Sequence, residues 1–379
     1  MNAGRRRLLY VVNVDWFFVS HRLPLAVAAR ERGFEVWVAA KDTGFRAKIE
    51  SRGMHFVPLS MSRASLNPLR EVVPLVQVVR AYLAVKPDIA HHVSLKSILY
   101  GSLAARLVRR TKVVNAVAGQ GGLAVGGGSR SSRVAARAAA RAVAVVMRGR
   151  QALAIFQNVD DRRQFVESYG FPPDRAHVIP GSGVDCELFR PSALPDGPPV
   201  VVMAGRLLWP KGVGEFVEAA RTVRRRHPGA RFVLVGAPDE DSSFSVSRDQ
   251  LESWAEAGDV EWWGVRDDMP SVLREATVVV LPTYYGEGVP KVLLEAAASA
   301  RPIVTTDTPG CRDVVQHGVT GLLVGARDPQ ALAQAVGDLL ADRAQCADMG
   351  ERGRALVEGE FRVEQVVDRT LDLYYDLLR

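Results

Sequence analysis

Short apolar runs alternate with amphipathic segments along most of the chain. In the first half, runs rich in Val, Leu and Ala are typical of buried strands of a parallel sheet. These predicted strands cover residues 8–14, 34–40, 55–59, 88–92, 112–117, 152–157 and 176–180. The predicted helices between them cover residues 20–32 and 67–85, a segment that ends at Arg52 and a segment that begins at Leu95. This alternation indicates βαβ units.

The same alternation begins again after a Pro-rich segment at residues 191–199, which is the clearest linker in the sequence. Further strands are predicted at residues 200–204, 231–236, 260–263, 277–281 and 302–305, and helices at residues 211–226 and 362–379. We therefore predict an α/β protein with two doubly wound parallel-sheet domains, residues 1–190 and 200–361. We expect the final helix to pack back on the first domain, and ligands to bind in the interdomain cleft.

Charge is distributed unevenly between the two halves. Residues 1–190 contain 29 Lys and Arg against 13 Asp and Glu, a net charge of +16, whereas the remainder carries −9. A basic first half favours an anionic partner, for which nucleic acid, phospholipid and a diphosphate-bearing substrate are candidates. The basic half lacks interleaved aromatic residues and a recognition motif, which argues against nucleic acid.

The cysteine content and the hydropathy of the sequence indicate in which cellular compartment the protein is located. The three cysteines are scattered without metal-ligand spacing, which favours reduced thiols in a cytoplasm. Arg5–Arg7 precede an apolar run as in a signal peptide, but Asn13 and Asp15 interrupt that run, so we interpret it as the first strand. No apolar run reaches the roughly 20 residues of a transmembrane helix. We expect a cytoplasmic protein that is soluble or lies on a membrane surface.

Residues 283–296 carry the clearest chemistry. They follow the strand at 277–281 and turn through two glycines and Pro290 into an alanine-rich helix. A strand end that leads through a Gly-rich loop into a helix N-terminus is a common anion site. Glu287 and Glu295 flank this point. Because carboxylates do not bind phosphates, we interpret them as acceptors for hydroxyl groups of a phosphorylated ligand, such as a sugar nucleotide.

A second loop, residues 205–212, follows the strand at 200–204 and carries Arg206 and Lys211. Together these cations can neutralise a diphosphate as charge develops on a leaving group. Alone they would be interpreted as ordinary surface cations. The two glutamates at another strand end of the same sheet favour the diphosphate site.

These motifs resemble the retaining glycosyltransferases of family 4. The resemblance rests on Gly-Arg-Leu-x-x-x-Lys-Gly at 205–212 and on Glu287-x7-Glu295, with Gly286-Glu287-Gly288-Val289-Pro290 around the first glutamate. Residues 178–185, 302–306 and 318–324 resemble flanking blocks of that family. The resemblance implies the GT-B fold, in which two Rossmann-like domains enclose the active site, and it implies no metal and no cofactor.

The resemblance also implies roles for residues. Arg206 and Lys211 would bind the donor diphosphate, Glu287 would contact the donor sugar, and Glu295 would hold the ribose hydroxyls. The catalytic candidates are Arg206, Lys211 and Glu287. Lys291 either adds a phosphate contact or is a solvated residue at the helix start. The complete donor set is Gly205, Arg206, Lys211, Val265, Arg266, Glu287, Gly288, Val289, Pro290, Lys291, Val292 and Glu295, with Val265 and Arg266 lining the base pocket.

The part of the sequence that is expected to bind the acceptor differs from the family pattern. Many relatives carry a histidine after the fifth strand, where this chain has residues 117–119 without one. Residues 13–24 resemble a subgroup that acts on lipid-linked sugars, and His21 is the nearest substitute. The alternative is that Asp15 is a turn residue and His21 a residue of a helix N-terminus. The predicted acceptor residues are Asn13, Asp15, His21, Gly119 and Gly121.

Four arginines at positions 130, 133, 137 and 141 share one face of a predicted helix, because their spacings are three, four and four. They form either a solvated face or a membrane-surface element. Each cation near anionic lipid contributes about 1 kcal/mol. We predict that Arg130, Arg133, Arg137 and Arg141 contact the anionic inner face of the cell membrane.

Together, the sequence predicts retaining transfer of a sugar, such as an N-acetylhexosamine, from a UDP-linked donor. The acceptor would be a hydroxyl of a polyprenyl diphosphate-linked saccharide in glycan or glycoprotein assembly. The alternatives are a nucleotide-sugar epimerase of the same fold and a catalytically silent protein that binds a membrane surface.

Overall fold

The computed structural model describes residues 5–61, 68–108, 111–119, 130–149 and 151–379. It divides into two compact units. One comprises Met1–Ser182 with Glu364–Arg379, and the other comprises Gly183–Val363. Each unit is described by itself below.

The first unit is built on a parallel sheet. Its strands are β1 (Arg7–Val14), β2 (Glu35–Lys41), β3 (His55–Pro58), β4 (Ile89–Val93), β5 (Lys112–Val117), β6 (Ala152–Phe156) and β7 (Ala176–Val178). Within the described residues they lie in the order β3-β2-β1-β4-β5-β6-β7, and each neighbouring pair is parallel. The order reverses between β1 and β4, which makes the sheet doubly wound, as predicted.

Helices cover the faces of this sheet. They are α1 (Asp15–His21), α2 (Leu23–Glu31), α3 (Arg46–Glu50), α4 (Pro68–Val85), α5 (Leu95–Val108), α6 (Arg130–Met147) and α7 (Val159–Arg163), which continues into a π-helical turn, Gln164–Ser168. The predicted helix at 20–32 is wrong: it is two helices that break at Arg22. Pro24 explains the break, because its ring has no N–H for a bond to Ser20 and clashes with that carbonyl.

The second unit repeats the pattern with six parallel strands among its described residues. They are β8 (Val200–Ala204), β9 (Arg231–Val235), β10 (Glu261–Trp262), β11 (Val278–Leu281), β12 (Ile303–Thr306) and β13 (Gly321–Val324), in the order β10-β9-β8-β11-β12-β13. The helices are α8 (Val213–Val223), α9 (Arg248–Glu256), α10 (Met269–Glu275), α11 (Lys291–Ala298), α12 (Cys311–Val314), α13 (Pro329–Ala341) and α14 (Arg343–Glu360). The reversal point lies between β8 and β11.

The chain enters the second unit earlier than the sequence suggests. Val184, Cys186 and Leu194 are buried in the core of that unit, although they precede or lie in the predicted linker. Arg354 donates hydrogen bonds to the carbonyl of Cys186, and Arg343 donates to the carbonyl of Leu194 at 2.7 Å. The Pro-rich segment is therefore packed against the second unit.

The last helix, α15 (Val363–Leu378), packs on the first unit. The hydroxyl of the buried Tyr374 lies 2.5 Å from Nδ1 of His91 and 3.2 Å from the hydroxyl of Tyr10. None of the helices in the described part of the chain is both long and apolar enough to cross a membrane.

Candidate functional site

Lys211 and Glu287 meet at the reversal point of the second sheet. Strands β8 and β11 are neighbours, and their following loops carry Lys211 and Glu287, respectively. Lys211 Nζ lies 2.8 Å from Glu287 Oε1, and each side chain is less than 15% exposed. The structure therefore brings two of the three catalytic candidates into direct contact at the place where doubly wound sheets bind ligands.

The third candidate, Arg206, lies on the loop after β8 and pairs with Asp239 on the loop after β9. Its Nη1 lies 2.9 Å from Asp239 Oδ2, and its Cζ lies 6.0 Å from the centre of the Tyr285 ring. Burial alone lowers the pKa of Arg206, but the hydrogen bond to Asp239 and the nearby Tyr285 and Glu287 raise it overall. Arg206 is thus held as a cation by groups that also limit its orientation.

Glu295 is buried on the first turns of α11. Its partner is Lys291, whose Nζ lies 3.2 Å from Glu295 Oε1. Burial raises the pKa of Glu295, and the contact with Lys291 opposes this shift. Lys291 is partly buried and paired, so it is not simply a solvated residue at the helix start; a phosphate contact remains a prediction. The predicted ribose contact of Glu295 also stays a prediction.

Glycines allow the loops that carry these side chains to pack backbone against backbone. Gly212 has φ of 85°, and a Cβ there would lie 2.3 Å from the carbonyl oxygen of Pro282. Gly310 has φ of 81°, and its Cβ would lie 1.5 Å from the carbonyl oxygen of Gly288. Tyr284 N donates to the carbonyl of Pro210 at 2.8 Å. The loops after β8, β11 and β12 therefore form one support for Lys211 and Glu287.

The predicted base-pocket residues follow the edge strand β10. Val265 is 70% exposed. Arg266 forms a two-point ion pair with Asp268 and places its Cζ 5.6 Å from the centre of the Trp263 ring. Gly236 N donates to the carbonyl of Gly264 at 2.7 Å, which fixes the start of this loop. An exposed apolar side chain beside a cation stacked on an aromatic ring could contact a nucleotide base. The assignment of Val265 and Arg266 to the base pocket stays a prediction.

In the first unit, Asp15 holds a neighbouring loop in place. The carboxylate is fully buried at the start of α1. It accepts hydrogen bonds from the amides of Trp16, Thr43 and Phe45 and from the Thr43 hydroxyl, at 2.5 to 2.9 Å. This geometry favours the structural alternative for Asp15, and its contact with an acceptor stays a prediction.

Of the other acceptor candidates in the described residues, Asn13 lies at the end of β1 and Gly119 follows β5, whereas His21 is the last residue of α1 and not a residue of a helix N-terminus. Asn13 Oδ1 accepts a hydrogen bond from the Ser97 hydroxyl at 2.7 Å. His21 is stacked on Phe17, with ring centroids 4.1 Å apart. Gly119 is buried with φ of 84°, a conformation that favours glycine. Their contacts with an acceptor are likewise untested predictions.

Some predicted residues fall outside the described part of the chain. Gly121 does so completely, whereas Arg130 and Arg133 belong to α6 but their side chains are not described. Arg137 and Arg141 are exposed on α6, as a membrane contact requires. Exposure alone does not distinguish that role from a solvated face.

Two protein-family models match the chain. The model described as "Glycosyl transferases group 1" matches residues 198–342, and the model described as "Glycosyl transferase 4-like" matches residues 7–148. The chain belongs to the family 4 glycosyltransferases. The family resemblance predicted from the sequence motifs is confirmed, and the protein is a glycosyltransferase of the hexosyltransferase type.

Curated relatives of this glycosyltransferase have several named activities. N,N'-diacetylbacillosaminyl-diphospho-undecaprenol alpha-1,3-N-acetylgalactosaminyltransferase of Campylobacter jejuni is 28% identical over 346 residues, covering 86% of this chain and 89% of the relative. Alpha-maltose-1-phosphate synthase of Mycolicibacterium smegmatis is 34% identical, and D-inositol 3-phosphate glycosyltransferase of Nocardia farcinica is 33% identical. These matches cover 53% and 54% of this chain, and 57% and 48% of those relatives.

Solved structures confirm the GT-B fold of the glycosyltransferase. Sucrose-phosphate synthase from Thermosynechococcus elongatus superimposes with a TM-score of 0.80 at 21% identity, covering 98% of this chain and 99% of that protein. Anabaena HepE in complex with UDP superimposes with a TM-score of 0.76 at 19% identity, covering 98% of this chain and 100% of HepE. At these identities the likeness shows the fold alone.

The sequence motifs missed Asp239, which supplies the counter-ion of Arg206 in this glycosyltransferase. Asp239 follows β9 within Ala237-Pro238-Asp239-Glu240-Asp241. An acidic cluster at a strand end was the available signal, because the neighbouring strands β8 and β9 end at the same edge of the sheet. The spacing could not show which of the three carboxylates meets Arg206.

Proposed function

We propose that this glycosyltransferase moves a sugar, with retention of configuration, from a UDP-linked donor to a hydroxyl of a polyprenyl diphosphate-linked saccharide. The donor sugar is an N-acetylhexosamine. The observation that carries the proposal is the contact between Lys211 and Glu287 at the reversal point of the second sheet, 2.8 Å apart and largely buried.

The paired charges suit a diphosphate donor. Two cations, Lys211 and Arg206, stand on one loop, and each has a carboxylate partner that keeps it charged and oriented. A buried cation without a partner is costly, whereas a paired cation can share its charge with an incoming diphosphate. These two cations then stabilise the leaving diphosphate, and no metal ion is needed for that task.

The chemistry follows from the residue types present. The acceptor oxygen bonds to the anomeric carbon on the face from which the diphosphate oxygen departs. The hydroxyl proton passes to that departing oxygen, so no protein base is required. Glu287, when Lys211 turns to the diphosphate, accepts hydrogen bonds from the sugar hydroxyls. Glu295 accepts hydrogen bonds from the ribose.

The nature of donor and acceptor is supported by the relatives. The Campylobacter jejuni protein that matches over most of both chains is named for transfer of N-acetylgalactosamine to a saccharide on undecaprenyl diphosphate. HepE, which shares the fold, has been solved with UDP and with UDP-glucose. In the first unit of this chain, Asn13, Asp15, His21, Gly119 and Gly121 are the proposed acceptor residues.

We further propose peripheral attachment to the inner face of the cell membrane, where a polyprenyl-linked acceptor is embedded. Support comes from the exposed Arg137 and Arg141 on α6 and from the basic composition of the first half. Arg130 and Arg133 complete the same helical face by their spacing.

Transfer is tested with purified protein, UDP-N-acetylhexosamines and a short-chain polyprenyl diphosphate disaccharide. We expect a trisaccharide product whose new linkage has the anomeric configuration of the donor, as determined by nuclear magnetic resonance. A new sugar formed from the donor without acceptor would instead identify an epimerase. If the protein neither transferred a sugar nor consumed the donor with UDP, GDP or ADP sugars, this result would favour a silent binding protein.

A further inference from the structure

A cavity of about 290 Å³ lies in the first unit, where α6 meets the π-helical turn after α7. Its lining side chains are Arg137, Arg141, Gln164, Ser168 and Tyr169. Its described lining therefore consists of two guanidinium groups and three uncharged polar groups, without a carboxylate. This cavity is referred to below as the arginine pocket.

Among the residues that the structure describes, the two guanidinium groups have no counter-ion. Arg137 and Arg141 are one helical turn apart and exposed, and α6 contains no Asp or Glu. Within the described part of the chain, neither forms an ion pair or a hydrogen bond. Like charges at this spacing destabilise a helix. An anion between them would remove that repulsion, and a phosphate matches the planar donor fork of arginine.

The opposite wall of the pocket is ordered by its own hydrogen bonds. Gln164 Nε2 donates to the Tyr169 hydroxyl at 3.0 Å, and the Tyr169 ring is buried. Arg148 Nη2 donates to the Tyr169 carbonyl at 2.5 Å, which holds the end of the turn. Among the described residues, the Tyr169 hydroxyl proton has no acceptor, so it is available to a ligand. Single π-helical turns are frequent at functional sites.

The remaining exposed face of α6 indicates where the phosphate comes from. Val134, Ala138, Ala142 and Val145 form an exposed apolar row, and Val134 and Val145 are 63% and 50% exposed. With 3.6 residues per turn, the arginine row lies between this apolar row and the buried face of α6. A helix with this arrangement lies in a bilayer interface, with its apolar row among the acyl chains and its cations at headgroup level.

We propose that the arginine pocket binds the phosphate of an anionic phospholipid headgroup. The inference rests on the peripheral attachment proposed above and deepens it, because it assigns a headgroup-specific site rather than a diffuse attraction. Arg137 and Arg141 bind the phosphate oxygens, the Tyr169 hydroxyl donates to the same group, and the apolar row enters the adjacent acyl region.

The test compares two vesicles of equal surface charge. Vesicles of a neutral galactolipid contain either phosphatidylglycerol or oleic acid, at mole fractions that give equal zeta potentials at the pH of the assay, and the full chain is sedimented with each. We expect the wild type to prefer the phosphate-bearing vesicle on the order of tenfold, the scale of a charge-assisted two-point contact. Arg137→Lys/Arg141→Lys keeps the charge, and Tyr169→Phe keeps the packing. Both should lose the preference while still sedimenting.

The matched control is Arg163→Lys, an exposed arginine of α7 outside the pocket, which should keep the wild-type preference. Equal sedimentation of the wild type on both vesicles, or a preference that survives both pocket variants, overturns the headgroup site while leaving peripheral attachment intact. If the wild type sediments with neither vesicle, both the headgroup site and the peripheral attachment are overturned. Thermal melting of each variant shows that the first unit remains folded.

Discussion

Lys211 Nζ lies 2.8 Å from Glu287 Oε1, so the cation assigned to the diphosphate and the carboxylate assigned to the sugar neutralise each other. A donor that binds here must exchange this contact for contacts of its own. The pair therefore links donor binding to the orientation of both catalytic candidates, and it is the first place to test the proposal.

Replacing Lys211 with Ala should reduce turnover on the order of 100-fold or more, because one preorganised charge on the leaving group is lost. Initial rates at saturating donor measure this effect. Arg248→Ala is the control, since it removes an exposed cation of α9 that pairs with Glu252 and lies over the Trp262 ring. Near-normal turnover of Lys211→Ala would disprove the assigned role.

A double-mutant cycle of Lys211→Met and Glu287→Gln should show coupling of about 1–3 kcal/mol in the free energy of unfolding without donor. Each single variant leaves one largely buried charge without its partner, whereas the double variant leaves none. The exposed pair Arg248 and Glu252 should couple by less than about 0.5 kcal/mol. Additive effects at Lys211 and Glu287 would show that their contact is energetically unimportant.

Replacing Asp239 with Asn should lower kcat/KM for the donor on the order of tenfold, the scale of one charge-assisted hydrogen bond. Arg206 then loses the partner that orients it at 2.9 Å. Asp348→Asn breaks an exposed ion pair with Arg352 on α14, away from the assigned donor residues, and serves as the control for a comparable change in charge. Equal effects of the two substitutions would contradict a positioning role for Asp239.

His92 should make the first unit less stable in acid. Its Nδ1 lies 2.8 Å from Asn115 Oδ1 and its Nε2 lies 2.6 Å from the Tyr82 hydroxyl, so a neutral ring protonated on Nδ1 donates to Asn115 and accepts from Tyr82. Burial lowers the pKa of His92 to about 4, against an ordinary value of 6.5. The unfolded chain therefore gains a proton first as pH falls, and the free energy of unfolding drops by about 3 kcal/mol between about pH 6.5 and 4.

Urea unfolding at several pH values measures this loss. His92→Gln should show a smaller decrease over the same interval, since the neighbouring His91 also has a lowered pKa and remains. His317→Gln, at an exposed position of the second unit, should leave the decrease unchanged. An identical pH profile for His92→Gln and the wild type would exclude His92 as the cause.

Reversal of Arg133, Arg137 and Arg141 to Glu should weaken sedimentation with anionic liposomes and spare donor binding. At about 1 kcal/mol per cation near anionic lipid, the loss of three cations is a large effect. Reversal of Arg225, Arg226 and Arg248 changes the net charge equally in the second unit and should have little effect. Unchanged sedimentation of the α6 variant would reject membrane attachment through this helix.

The elements with strong periodicity were predictable, and those governed by single residues were not. Strand β8 has the predicted ends because it is a continuous apolar run between Pro199 and Gly205. Strand β5 also has the predicted ends, although it begins with Lys112 and contains Asn115. The apolar spacing continues through Arg22 and predicts one helix there, whereas the structure has two. The effect of Pro24 on the carbonyl of Ser20 outweighs that spacing.

In the candidate site, too, some features were predictable from the sequence and others were not. Arg206, Lys211, Glu287 and Glu295 were recognisable because the chemistry of a phosphorylated sugar requires cations and hydroxyl acceptors at strand ends. Their partners were not. Only the packing of separate loops shows that Lys211 meets Glu287, while Arg206 meets Asp239.

By itself, the sequence determined the alternation of strands and helices, the family and the set of candidate groups, because these depend on local periodicity and residue chemistry. The tertiary structure decided which charges are paired, that the Pro-rich segment packs on the second unit, and that Arg137 and Arg141 face an uncharged polar wall. These features depend on contacts between residues far apart in the chain, and such contacts are set by how the sheets and loops pack.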